Sequence, residues 1–434
     1  MDMRSSESIK MTGGRGVLSE QQTKAILAKM KKSDADNPIL ERHLEVENAI
    51  TGTPLVTGNK ISLLIDGPAT YASMFAAIKD ARQHINMETY IMEDDDVGHQ
   101  FAQALINKQK SGVQVNLMYD SVGSLSTPRG FFQPMIDSGI KVLEFNPINP
   151  AVARKDWEVN QRDHRKLLIV DGKTAFVGGI NISSVYSAGS FSKSRKPKRD
   201  ADAKDVPWRD TQVRVDGPVV AEFQKLFMET WQKQHGPDLG EHAYFPTVAP
   251  AGNDIVRAIG SAPDEPYSVI YATFISAINH AEAKVYLTNA YFVPDPQLRE
   301  ALKNAVARGV DVRLILPSKS DSSLVFYASR SFYDELLRDG VKIYERQDAL
   351  LHSKTALIDD VWSTVGSTNL DWRSFVFNQE INAVILGTQF GAQMQTMFQR
   401  DLDASKEITL EQWKERPVSE RMKEFGARLW ERLL

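Results

Sequence analysis

The chain has 434 residues, 42% of them hydrophobic, enough to bury a large core and to build two or three ordinary domains. Its 56 acidic and 52 basic residues leave a formal charge of -4, which excludes the global basic field of a general nucleic-acid binder. Cysteine is absent, so disulfide scaffolds, thiolate metal sites and a cysteine nucleophile are excluded. No stretch reaches the roughly 20 apolar residues of a membrane span, and the opening MDMRSSESIKMTGGRG has no apolar signal-peptide core, so the chain is expected to be soluble or peripheral.

Apolar residues at helical spacing predict two leading helices, over 18–30 and 40–50. From Ile61 the pattern alternates. Strands are predicted over 61–65, 85–91, 113–119 and 140–145, with helices over 71–81, 97–110 and 131–137 between them. Such alternation implies an α/β sheet covered by helices.

The same programme then repeats. Ala77, Ile78 and Ala81 find counterparts in Ala277, Ile278 and Ala281, and Glu88-Thr89-Tyr90-Ile91 is matched with Asn289-Ala290-Tyr291-Phe292. Gly112-Val113 answers to Gly309-Val310, while Asp137, Gly139, Ile140 and Lys141 line up with Asp339, Gly340, Val341 and Lys342. An internal duplication divides the chain into a helical extension (1–55), a first repeat (56–235), a linker rich in Gly, Pro and Ala (236–265), a second repeat (266–400) and an amphipathic tail (401–434). Residues 187–205 carry Lys193, Arg195, Lys196, Lys198 and Arg199 without apolar periodicity and read as a loop, as consistent with a solvated insertion as with a head-group-binding element.

Each repeat holds one His-x-Lys-x4-Asp: His164, Lys166 and Asp171, then His352, Lys354 and Asp359. With 8 histidines and this composition, chance supplies about 0.12 copies of the pattern, so two in equivalent frames are a specific signal. Histidine and lysine two apart on a strand project from one face and can share a phosphate. Each aspartate enters a hairpin turn and is expected to shape the motif, holding the lysine or the hairpin more than carrying protons. Past each hairpin comes Gly-x-x-Asn, Gly178 to Asn181 and Gly366 to Asn369. Here Gly179 or Ser367 would admit close backbone approach, and Asn181 and Asn369 would donate to phosphate oxygens. The other six histidines, among them His43 and His84, have no such setting and read as surface or packing residues.

These duplicated motifs resemble the signature of the phospholipase D superfamily. ETYIMEDDDVG, NAYFVP, GSTNLDWRSFVFNQE and the closing EQWKERPVSERMKEFGARLWERLL are similar to its bacterial cardiolipin synthase branch. The resemblance implies two tandem α/β repeats packed about a pseudo-twofold axis, with one active site at their interface. It implies phosphodiester transfer on phospholipid through a phosphohistidine, without metal or other cofactor: His164 as nucleophile, His352 as acid and base, Lys166, Lys354, Asn181 and Asn369 holding charge. It also implies a downstream carboxylate orienting each histidine, for which the sequence offers Glu380 to His352 and Asp210 to His164. The acceptor decides between cardiolipin synthase-type transfer from phosphatidylglycerol and hydrolysis to phosphatidic acid. A nuclease on the same fold and a catalytically silent lipid-binding protein are the rivals. The acidic excess disfavours the first, and the intact histidines and lysines disfavour the second. Peripheral contact with a bacterial membrane is expected and nucleic acid is not. The tail places Val418, Met422, Phe425, Leu429 and Leu433 on one helical face, for which docking onto the protein's own core is the expected use and a membrane surface the alternative.

Overall fold

The computed structural model describes residues 9–33, 38–50, 52–148, 158, 160–190, 206–265 and 268–431. The five basic residues of the 187–205 segment and Leu433 of the tail lie outside these.

Equivalent local signals build equivalent elements in the two repeats. In the first, Asp95 accepts from the Gly98 N–H at 2.8 Å and opens the helix Asp96–Lys110, which buries Val97, Phe101, Ala102 and Leu105. In the second, Asp295 accepts from the Leu298 N–H at 2.9 Å and opens Pro296–Ala307, which buries Leu298, Ala301, Leu302 and Ala305. Gly112 and Gly309, each at φ 89°, turn the chain out of these helices into the strands Gln114–Asp120 and Asp311–Pro317.

The sheet reads almost as a palindrome. Starting from one edge, its strands are Lys141–Phe145, Gln114–Asp120, His84–Thr89, Lys166–Val170, Thr174–Gly178, Thr211–Asp216 and Leu55–Ile65. Leu55–Ile65 pairs with Asp254–Ser261, and the order then runs in reverse through Asn378–Leu386, Trp362–Gly366, Lys354–Ile358, Lys284–Asn289, Asp311–Pro317 and Lys342–Arg346, closed by Ser405–Ile408. The two halves of the sheet face one another. Val177, Val213 and Val215 of the first share a core with Val365, Ile381 and Ala383 of the second. Helices cover both outer faces, each over its own apolar core, so the fold is the expected pair of α/β repeats about a pseudo-twofold axis.

Three expectations need correction. The segment 236–265 is not wholly linker: Asp254–Ser261 is a central strand that joins the halves, and Ile255, Val256, Ala258 and Ile259 are buried within it. Its short apolar run was hidden among flanking Gly, Pro and Ala, and it is residues 236–253 and 262–265 that form neither helix nor strand. The match of Glu88 to Asn289 is displaced by one residue. Thr89 pairs with Lys166 as Asn289 pairs with Lys354, so Thr89 is the true counterpart and Tyr90 and Tyr291 are not equivalent. Shared tyrosines set the sequence match, whereas hairpin register sets the structural one. Third, the tail helix Val418–Arg428 docks, but with Glu424 and Ala427 rather than its large apolar residues.

The N-terminal extension is bound to the second repeat. Leu40 and Leu44 enter its core, while Glu47 accepts from the Arg257 guanidinium at 2.8 Å and from Trp362 Nε1 at 2.9 Å.

Candidate active site

The two motif strands lie antiparallel to His84–Thr89 and Lys284–Asn289, and each ends in a tight hairpin. At the turns Asp171 and Asp359 both take φ 53°, a left-handed conformation that aspartate tolerates better than most side chains. The Asp171 carboxylate accepts the N–H groups of Arg82, Gln83 and His84 at 2.7–3.2 Å, and that of Asp359 accepts those of Glu282, Ala283 and Lys284 at 2.8–3.0 Å. Asp359 also meets His43 Nε2 at 3.1 Å. The aspartates therefore bind each hairpin tip to the start of the neighbouring strand. Of the two expected uses, lysine or hairpin, their carboxylates are spent on the hairpin.

Histidine and lysine sit at the opposite end of each motif strand, where the repeats cross. His164 N–H donates to the Gln379 carbonyl at 3.0 Å, and His352 N–H to the Arg209 carbonyl at 2.8 Å. Those contacts bring the next residue of each foreign strand against the ring. Glu380 lies 3.0 and 3.1 Å from His164 Nδ1, and Asp210 lies 2.7 Å from His352 Nδ1. The carboxylates thus serve the histidine of the opposite repeat, the reverse of the expected pairing. The reason is topological: Asp210 immediately precedes the strand Thr211–Asp216 and Glu380 lies near the start of Asn378–Leu386, strands that pair beside the hairpin strands leading into the Gly-x-x-Asn segments of their own repeats and run along the inter-repeat face.

Both carboxylates are completely buried. Burial pushes the Glu380 carboxyl up to about 7 against the pull of Lys166, and pushes neighbouring Asp371 up to about 7 as well. Burial likewise depresses Lys166 to about 7 and Lys354 to about 8. It drives His164 well below its ordinary value, helped by the positive charges of Lys166, Lys354 and His352. His352 is lowered by burial and Lys354, with Asp210 opposing. Each imidazole rests on a carboxylate from the other repeat, so both motifs lie at the seam between the repeats.

Lys166 Nζ donates to the His164 carbonyl at 2.5 Å and lies 5.0 Å from the Tyr90 ring centre. Lys354 Nζ donates to the His352 carbonyl and lies 3.0 Å from His352 Nδ1. With Nδ1 of each imidazole engaged, Nε2 is the atom left for chemistry.

The expected phosphate cradle is only partly as drawn. Asn181 Oδ1 accepts the Ile91 N–H at 3.1 Å and its Nδ2 donates to Tyr186 at 3.2 Å, so this amide is already committed. Asn369 is buried with Oδ1 unpartnered, an amide not spent on structure. Gly179 and Ser367 donate their N–H groups to the carbonyls of Thr211 and Ile381 at 3.1 and 2.9 Å, so neither offers backbone to a ligand. Both abut a carboxylate instead. A Cβ at Gly179 would stand 2.3 Å from Asp210 Oδ1, and Ser367 Oγ donates to Glu380 Oε2 at 2.5 Å.

Sequence reasoning missed an aromatic collar. Tyr90 lies 4.9 Å from the His164 ring, while Trp208 and Tyr291 lie 5.2 and 6.5 Å from that of His352, and the Tyr186 hydroxyl is 3.2 Å from His352 Nδ1. Tyr186, five residues past Asn181, had no periodic pattern to announce it.

A family model described as "Cardiolipin synthase, PLD-like domain" matches residues 74–188 and 274–402. The cardiolipin synthase of Alkalihalophilus pseudofirmus is 33% identical over 424 residues, covering 97% of this chain and 79% of that protein. Cardiolipin synthase A of Pseudomonas putida W619 is 36% identical over 383 residues, covering 87% and 74%. Among solved structures, the phosphatidylserine synthase of Haemophilus influenzae superposes with a TM-score of 0.65 at 14% identity, over 91% of this chain and 100% of that one, which is a likeness of fold. Two matched repeats, each contributing a histidine, a lysine and the carboxylate its twin requires, place the chain in the cardiolipin synthase family with its phospholipase D-like domains.

Proposed function

We propose that the protein transfers a phosphatidyl group between alcohols at a membrane surface, with phosphatidylglycerol as donor and cardiolipin as product. The observation that carries this reading is the reciprocal seating of two buried imidazoles, each held by Nδ1 on a carboxylate from the other repeat.

We read the asymmetry of the pair as favouring His164 for the nucleophile and His352 for the acid and base. His164 is the more strongly depressed, so its Nε2 stays neutral and nucleophilic, while Asp210 favours the imidazolium at His352. Attack of His164 Nε2 on phosphorus forms the N–P bond as the P–O bond to the departing alcohol breaks, and His352 Nε2 gives that oxygen its proton. The incoming hydroxyl returns a proton to His352 as its oxygen displaces His164. Lys166, Lys354 and Asn369 stabilise the charge on the equatorial oxygens, with no metal required. Asp210 and Glu380 fix ring orientation and tautomer.

The similarity to cardiolipin synthases over most of the chain supports phospholipid as the substrate. Among the described residues no helix is long and apolar enough to cross a membrane. The test is incubation with phosphatidylglycerol, with and without added glycerol. Cardiolipin formation that falls as glycerol rises is expected. Phosphatidic acid as the main product would make water the acceptor, and nicked plasmid without lipid turnover would overturn the reading.

A further inference from the structure

The tail helix Val418–Arg428 is fixed to the body by one face and carries a stripe of large apolar side chains on the other. Its inner face buries Glu424, which accepts from Arg416 at 2.8 and 2.9 Å, and Ala427. On the outer face Val418, Met422, Phe425 and Leu429 are 68%, 71%, 72% and 74% exposed, at the spacing of adjacent helical turns, and Trp430 beyond them is 53% exposed. A helix that only needed a core would have turned these residues inward. Here the ion pair holds them out.

The stripe also has a direction. Tail-helix contacts advance in the same order as the chain they meet: Lys423 to the Tyr327 hydroxyl at 3.1 Å, Glu424 to Arg330 at 3.9 Å, Arg428 to Glu335 at 3.9 Å. Its N-terminal end therefore lies toward the start of the helix Ser323–Arg330. That start follows Asp321, whose carboxylate accepts from the Tyr291 hydroxyl at 2.7 Å beside His352 and whose charge is felt by His352 and Lys354. Leu324, 42% exposed, stands at the same end. The apolar stripe thus begins on the edge of the molecule that carries the reaction site.

We propose that this face is the surface by which the protein lies on a phospholipid bilayer, with Met422, Phe425, Leu429 and Trp430 entering the interface. The inference rests on the reading of phospholipid as substrate, because an enzyme whose substrate resides in a bilayer must meet one near its site. The composition fits: large aliphatic and aromatic residues on one face, charges on the other, and a tryptophan at the end, the residue enriched at membrane interfaces. Residues 411–431 carry equal numbers of acidic and basic side chains, so adhesion is apolar and only weakly sensitive to salt.

The test compares wild type with a Met422→Glu, Phe425→Glu double variant by flotation on vesicles of equal parts phosphatidylglycerol and phosphatidylcholine. Turnover is followed on those vesicles and on short-chain phosphatidylglycerol dispersed below its micellar concentration. The variant, folded as judged by an unchanged melting temperature, is expected to lose vesicle binding and vesicle turnover at least tenfold while keeping turnover of dispersed lipid. Undiminished vesicle binding by the variant would overturn the inference. So would a wild-type dimer that the substitutions convert to monomer without loss of vesicle binding, since the face would then join two copies. If neither protein turns over phosphatidylglycerol in either form, the substrate reading fails, and the surface is still decided by flotation alone.

Discussion

The carboxylate of Glu380 lies 3.0 Å from Nδ1 of His164, a residue 216 positions earlier and in the other repeat. Asp210 and His352 mirror it at 2.7 Å across 142 positions. Each imidazole therefore depends on the docking of both repeats and not merely on the folding of its own.

Glu380→Gln and Asp210→Asn preserve shape but remove the charge that selects the tautomer and supports an imidazolium. Each is expected to lower kcat by about 100-fold or more. If His164 is the nucleophile, the phosphatidyl-histidine adduct should form in a His352→Ala protein given a substrate with a good leaving group, and never in His164→Ala. Trapping with a labelled lipid after acid-free quenching reads this directly, and label retained on His164→Ala would exchange the roles.

Gly179 and Ser367 occupy equivalent positions but tolerate change differently. A side chain at 179 would collide with Asp210, so Gly179→Ala should cost about 100-fold in kcat by displacing the carboxylate from His352. Ser367→Ala removes the hydroxyl's bonds to Glu380 and to the Ile381 N–H without pushing the carboxylate aside, and should cost about tenfold. Steady-state rates of the two variants compare the effects, and equal losses would contradict this view of the glycine.

Lys166 should be costly to stability. Burial lowers it from 10.5 to about 7, so between those values the unfolded chain binds more protons and stability rises with pH across that window. Glu380, raised from 4.5 to about 7, contributes in the opposite sense, losing stability as pH climbs through 4.5 to 7. Lys166→Met should abolish turnover, flatten the dependence above pH 7, and raise stability at neutral pH by on the order of 2 kcal/mol. Melting temperatures from pH 6 to 10 test it. The same titrations predict activity falling on the alkaline side, as Lys166 at about 7 and Lys354 at about 8 lose their charges.

Asp359→Ala would leave three backbone N–H groups and His43 without their acceptor in a buried turn. The expected cost is roughly 2–3 kcal/mol, larger than for Asp171→Ala, whose carboxylate is bonded to backbone N–H groups and not to an imidazole ring among the described residues. Urea denaturation of the two variants should rank them in that order.

Much of this was legible in the residues because the relevant signals are local. The spacing of His164 and Lys166, and Gly112 and Gly309, each act within a few positions of themselves. What escaped was set by pairing across the chain. Asp210 was matched to His164 because both belong to one repeat, whereas strand order along the seam delivers it to His352. The strand Asp254–Ser261 escaped since its partners, Leu55–Ile65 and Asn378–Leu386, lie far away in sequence. The tail helix was read correctly as amphipathic, yet which face would dock was decided by the Arg416–Glu424 contact, and charges of that kind are invisible to periodicity.

The exchange of carboxylates has a consequence for how such a chain can arise and fail. A single repeat would own an imidazole and an acid that cannot meet, so its earliest useful form must have been two identical copies in mutual embrace. Once the copies were fused, damage to one could no longer be carried by the other: cutting the chain within residues 237–253 should give fragments that are silent alone and regain activity only when mixed.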